Sequence, residues 1–187
     1  MLTVGPAEHV GSTVGRTTFG CAQLNRAIVS AGMTGDLRLK RQVCFALHSA
    51  SRAVTAYYRP LLEPLGLTYP QYLVMLVLWD EGECSVKELG AALMLDSGTL
   101  SPLLKRLEGA GLLTRRRDPA DERSVLVRLT PRGDDLRHEA AEVPTNVAAA
   151  SGLTPRELAD LRETLSTLTQ TMLAAANESR TPEESTP

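Results

Sequence analysis

Two groups of residues in this sequence have types and spacings suited to chemistry. The first is a thiol and an imidazole, Cys44 and His48, one helical turn apart in a stretch that reads as helix, so they share a face. An imidazolium at that spacing would stabilise a thiolate, whereas a neutral imidazole would only hydrogen-bond a neighbour. On position alone, a cysteine on the apolar side of a helix reads as a small core residue. The second group is small and cationic. It comprises Ser97, Gly98, Thr99, Ser101 and Pro102, then Lys105 and Arg106, then Arg115, Arg116 and Arg117, and finally Arg123 behind Asp121. Short side chains and free N–H groups at a helix N-terminus permit close approach to phosphates and bases, and the cations supply charge. Taken by itself, a basic hairpin reads as a solvated surface.

The overall charge of -2 argues against nucleic acid only as an average. From Asp96 to Arg132 there are eight Lys/Arg against five Asp/Glu, a net of +3, which leaves the remainder at -5. Positive charge is thus concentrated in one short stretch, the footprint expected of a phosphate-facing surface. With 187 residues and 43% hydrophobic content, the chain is large enough for one core with tails. No apolar run approaches the roughly 18 residues of a membrane span, and no signal-peptide pattern opens the chain, so a cytoplasmic location without membrane attachment is expected. Three cysteines, Cys21, Cys44 and Cys84, are an odd number. They argue against a disulfide framework and for thiols that are buried or reactive. No carboxylate and histidine set forms a catalytic constellation, and neither metal nor cofactor is expected.

The elements that would position these residues are mostly helices. Residues 1–36 mix Gly, Thr, Val and Ala without a period and read as a weakly structured extension; Met33 offers an alternative start of translation. From Leu37 to about Tyr58, Leu39, Val43, Ala46, Leu47, Ala50 and Val54 recur at threes and fours, a helix expected to stop before Pro60. Thr68 caps a second helix with Pro70 in its first turn, apolar nearly all round through Tyr72, Leu73, Leu76, Val77 and Trp79. Ser85 caps a short third helix, Val86 to Met94. Asp96 or Ser97 opens a fourth, with Leu100, Leu103, Leu104 and Leu107 as its buried stripe and Gly109 and Gly111 at its end. Leu112 to Arg117 and Arg123 to Leu129 then read as two strands around a charged tip, with Val125, Val127 and Leu129 on one face. Thr130-Pro131 and Thr154-Pro155 start further helices, the last carrying Leu158, Leu161, Leu165, Leu168 and Met172 at helical spacing, and residues 177–187 read as a disordered tail. The fold class implied is mostly α with a small β-wing, a winged helix-turn-helix over residues 37–176. Its second short helix would enter the major groove with the hairpin alongside. The apolar first and last helices would either cover a monomer's core or meet a second copy, placing two reading helices on a palindrome.

Three segments carry a resemblance: Tyr69-Pro70-Gln71-Tyr72, Leu95-Asp96-Ser97-Gly98-Thr99-Leu100, and Asp121-Glu122-Arg123-Ser124, with Cys44-Phe45 on the first helix. In order and spacing they resemble the MarR family of transcriptional regulators, and in particular its organic hydroperoxide sensor branch (OhrR), from about Leu37 to about Leu173. The resemblance implies a homodimeric repressor on a double-stranded inverted-repeat operator, released when an organic hydroperoxide oxidises Cys44. It also implies that Tyr58 and Tyr69 donate hydroxyls near that sulfur, at least one from a partner subunit; without it, both read as ordinary aromatic packing. In the wing, Arg123 resembles the family's minor-groove arginine, held by Asp121, with Arg115 and Arg117 on the adjacent backbone and Lys105 and Arg106 on phosphates or base edges. His48 departs from the branch, which commonly has tyrosine there, and is read as a support for the thiolate. With no cysteine after Cys84, the sequence resembles the one-cysteine subtype, whose oxidised thiol is capped by a low-molecular-weight thiol. Two other readings compete: a MarR-type repressor released by a phenolic or drug-like ligand, and a thiol peroxidase.

Overall fold

The computed structural model describes residues 36–179. The proposed extension, including Cys21 and Met33, and the tail beyond Ser179 lie outside the described residues. By their contacts the residues fall into two units, one ending at Ser49 and one beginning at Ala50. That boundary lies inside the first helix.

The first helix, α1, spans Val43–Leu62, and Leu39–Arg41 before it form a separate 3-10 turn. The helix does not stop before Pro60 as expected. A proline removes one backbone donor, but Leu62, with no exposed surface, anchors the final turn, and Glu63 N–H still donates to the Arg59 carbonyl at 3.0 Å.

The second unit is built on α2 (Tyr69–Glu81), β1 (Cys84–Ser85), α3 (Val86–Leu93), α4 (Ser97–Gly109), β2 (Leu113–Arg117), β3 (Val125–Leu129) and α5 (Pro131–Glu139). Helix α2 is central: Gln71, Tyr72, Val74, Met75, Leu78 and Trp79 are buried, but Leu76 is exposed and Leu73 and Val77 are only partly covered, so its apolar circumference is not buried all round. Leu100, Leu104 and Leu107 bury one face of α4, with Leu103 only partly covered at its edge. Ser85 accepts from Glu88 N–H at 3.1 Å while Glu88 answers at Ser85 N–H, a reciprocal cap that starts α3. Thr130 Oγ1 likewise accepts from Gly133 N–H at 3.1 Å, and Thr154 heads α7 (Pro155–Glu178) with Glu157 in the same box. Helix α7 runs through Asn177 and Glu178, so the tail begins later than residue 177.

The sheet has the order β1-β3-β2, antiparallel throughout, with Arg115 opposite Val127 and Cys84 on the other side of Val127. Strand β1, two residues long, was not foreseen. Nor was the split of the segment after Thr130 into α5 and α6 (Val143–Ala150), which follows from Pro144, a residue suited to a helix's first turn but not its interior.

Two close approaches lock the wing to the core. A Cβ built at Gly133 would overlap the Leu112 carbonyl oxygen, so only glycine allows α5 to lie against the start of β2. On the other side, Trp79 Nε1 donates to the Gly133 carbonyl at 2.9 Å, fully buried.

Candidate nucleic-acid interface and redox thiol

Helix α4 presents a finished N-terminus to solvent. Asp96 Oδ1 accepts from Thr99 N–H at 2.9 Å, and Thr99 Oγ1 donates to Asp96 Oδ2 at 3.0 Å. These bonds hold the Asp96 carboxyl below the usual carboxylate range. Ser101 Oγ turns back to the Ser97 carbonyl at 2.7 Å. Ser97, Gly98, Thr99, Ser101, Pro102, Lys105 and Arg106 are all exposed, while Leu100, Leu104 and Leu107 are buried, so the helix is amphipathic. Between α3 and α4, Met94 takes a left-handed conformation (φ 54°) that ends α3 and turns the chain toward α4.

The wing's arginines are not alike. Arg115 is folded back: its Nε donates to Glu108 Oε2 at 3.0 Å, its Nη2 to the same oxygen, and its backbone N–H to Glu108 Oε1 at 3.2 Å. Arg116, on the other face of β2, pairs with Glu83 at 2.8 Å. Arg117 and Arg123 are exposed and make no ion pair among the described residues. Asp121 does stand beside Arg123, but its carboxylate accepts from the Arg123 backbone N–H at 3.0 Å rather than from the guanidinium. The tip is closed by Ser124 N–H to the Asp121 carbonyl at 2.8 Å and by Asp118 N–H to the Ser124 carbonyl at 2.9 Å. Helices α3 and α4 and the wing enclose an open cleft of about 740 Å³, bordered by Met94, Leu95, Ser97, Ser101, Arg115 and Arg123. The outward surface is thus a helix N-terminus of small residues flanked by a hairpin that carries the exposed Arg117 and Arg123, unpaired among the described residues. It is shaped to lie on a polyanion with the helix in a groove.

The chain belongs to the MarR family. The family model named MarR matches residues 67–125, the span from the start of α2 to the start of β3. The organic hydroperoxide resistance transcriptional regulator of Bacillus subtilis is 45% identical over 136 residues, covering 73% of this chain and 92% of that protein. Among solved structures, reduced AbfR of Staphylococcus epidermidis bound to DNA is similar with a TM-score of 0.64 and 32% identity, covering 77% of this chain and 99% of that one. BpsR of Bordetella bronchiseptica, solved for the regulation of its DNA binding by 6-hydroxynicotinic acid, is similar with a TM-score of 0.63 and 31% identity, covering 68% and 98%. As a MarR member the protein is a DNA-binding transcriptional regulator with a winged-helix core, and its relatives are named as regulators, not enzymes. No helix among the described residues is long and apolar enough to cross a membrane.

The two cysteines among the described residues fall one in each unit. In the first, Asp36 clasps Arg38 at 2.7 Å and Arg41 at 3.1 Å, which holds its carboxyl down at about 2, and Gln42 Nε2 donates to the Asp36 carbonyl. This clasp precedes α1, whose first turn carries Cys44, an exposed free thiol; His48, one turn on, is exposed as well. In the second unit, Tyr58 and Tyr69 lie together with ring centroids 4.7 Å apart, and Tyr72 sits 5.8 Å from Tyr58. Burial pushes the Tyr58 hydroxyl up, with Tyr69 adding to it, so Tyr58 stays a neutral donor at physiological pH. Cys84 is half-buried on β1, and burial, with Glu88, Glu81 and Glu83 around it, pushes its thiol up. The sequence pointed to the tyrosines individually through the family resemblance; their mutual packing, and the partners of Arg115 and Arg116, were not visible in it.

Proposed function

We propose that this chain is a peroxide-responsive repressor of the organic hydroperoxide sensor branch. In the reduced state a homodimer holds an inverted-repeat operator with Ser97, Gly98, Thr99, Ser101, Pro102, Lys105 and Arg106 of each α4 in the major groove and Arg117 and Arg123 in the flanks. The observation that carries the reading is the exposed Cys44 thiol in the first turn of α1, in a chain so similar to the Bacillus subtilis regulator. The sulfur attacks the distal peroxide oxygen, the O–O bond breaks, and the products are a sulfenic acid on Cys44 and the alcohol of the hydroperoxide. A small thiol then condenses with the sulfenic acid, releasing water and leaving a mixed disulfide. Cys84 is a poor resolving thiol, because its raised pKa leaves little thiolate at neutral pH. Oxidation at the head of α1 shifts the helices that space the two α4 elements, and the match to successive major grooves is lost. Tyr58 and Tyr69, at least one of them from the partner subunit, act as hydroxyl donors to the sulfur, and His48 supports its thiolate; His48→Phe slows the peroxide reaction at neutral pH, and an unchanged rate removes His48 from the mechanism.

Titrating the reduced protein on its operator with cumene hydroperoxide tests this. Release is complete at one equivalent per subunit, with a sulfenic acid trapped on Cys44. Repeated turnover of peroxide with a thiol reductant, without release, would instead make the chain a thiol peroxidase. A second reading has one observation in its favour: the cleft of about 740 Å³ beside α4 is large enough for a small aromatic acid, and BpsR answers to one. Ligand-driven release that survives Cys44→Ser would establish it.

A further inference from the structure

The arginines of the wing, uniform in sequence, are divided by the fold into tied and free. Residues 115 and 117 share one face of β2, yet only Arg115 returns to α4. It meets Glu108 through Nε at 3.0 Å, through Nη2, and through its backbone amide at 3.2 Å. A carboxylate gripped by a guanidinium fork and by the main chain of the same residue fixes both the position of the strand along the helix and its rotation. Glu108 is itself fixed, because Leu104 and Leu107 in the preceding turn are buried to 1% and 0% exposure. The hairpin is otherwise held at its base: β3 pairs with β2 and the two-residue β1 and packs against α2, α3 and α5, which leaves the Glu108 fork as the side-chain hydrogen-bonded tie between β2 and α4.

We propose that Glu108 and Arg115 are positioning residues for DNA binding, holding the wing at a set angle to the reading helix so that Arg117 and Arg123 reach the duplex already oriented. Arg115 is therefore a strut, not a phosphate contact. Pre-setting the wing removes an ordering cost that a free hairpin would meet on binding. The sign of one substitution separates the two roles. Glu108 places a negative charge beside a surface that meets a polyanion, so on charge alone its neutralisation strengthens binding, and freeing Arg115 strengthens it further. If the pair is a strut, the same change weakens binding.

The test uses the reduced full chain, a duplex selected by the wild type from a random pool, and fluorescence anisotropy at several salt concentrations. A thermal melt of each variant checks the fold. Glu108→Gln is expected to weaken binding about tenfold, the loss of one charge-assisted contact. Arg115→Ala shows a similar loss with an unchanged salt slope. The exchange Glu108→Arg with Arg115→Glu leaves the net charge as it was and recovers most of the affinity. Equal or tighter binding by Glu108→Gln, or a salt slope reduced by about one in Arg115→Ala, overturns the proposal and returns Arg115 to the phosphate backbone. A charge exchange no better than either single variant also overturns it, and stands as evidence even if Glu108→Gln melts early.

Discussion

The α2–α5 core and the long helix α7 use leucines at helical spacing to opposite ends. In the core, Leu78, Leu89, Leu100, Leu104 and Leu107 are at 1% exposure or less. Along the 24 residues of α7 no residue is buried, and Leu161, Met172 and Leu173 stand 44%, 61% and 51% exposed. Helix α1 resembles α7 in this: only Leu62 of its 20 residues is buried. The DNA-reading part is complete within one chain, whereas the terminal helices carry apolar stripes that a single chain leaves wet. A stripe of this kind calls for a second copy, which in the proposed dimer is also what spaces the two reading helices.

Several substitutions sharpen or break that contrast. The largest effect is expected at Gly133, where any Cβ meets the Leu112 carbonyl. Gly133→Ala should lose about 3 kcal/mol or more of stability in urea denaturation, and a loss under about 1 kcal/mol would mean that the wing is not locked to the core there. On α7, Met172→Asp should leave helix content intact yet shift the protein toward monomer by about thirtyfold in dissociation constant, read by sedimentation. Loss of helix content together with the dimer would instead make α7 part of the monomer's core. Arg123→Ala should change neither stability nor assembly while weakening operator binding about tenfold, with a shallower salt dependence. An unchanged affinity would take the wing tip off the DNA.

The smallest effect concerns the cap of α4. The Asp96 carboxyl is lowered chiefly by the Thr99 backbone hydrogen bond, then by the Thr99 hydroxyl. A group whose folded value is depressed contributes fully above its unfolded value, near 4, and loses that contribution as pH falls through the folded value. Asp96→Asn, which keeps an acceptor without a titrating group, should therefore flatten the acid limb of a stability–pH curve slightly and leave it unchanged at pH 7. An identical acid limb would remove Asp96 from the acid response.

What the sequence made legible follows the range of the forces involved. Ser85, Asp96, Thr130 and Thr154 were readable as caps because each bonds a residue three positions on. The leucine stripe of α4 was readable because helical periodicity repeats the same signal along one element. Pro60 misled because its local penalty is outweighed by the burial of Leu62, a tertiary effect. Strand β1 has no pattern of its own; Cys84 and Ser85 are strand only because Val127 and Leu126 lie opposite. The roles of the wing arginines were hidden for the same reason, since Glu83 lies 33 residues from Arg116 and nothing local announces the pairing. Cys44 was singled out through the family resemblance, against a position that reads as core, and its exposure is the reverse of what a core cysteine would show.

The central claim is that one sulfur decides whether the regulator stays on its operator. Wild type and Cys44→Ser, both reduced, should bind the selected duplex equally in a gel shift, and cumene hydroperoxide should release the wild type while leaving the serine variant bound. Release of both, or of neither, would contradict the account: the first places the oxidation elsewhere in the chain, and the second makes Cys44 a bystander to DNA binding.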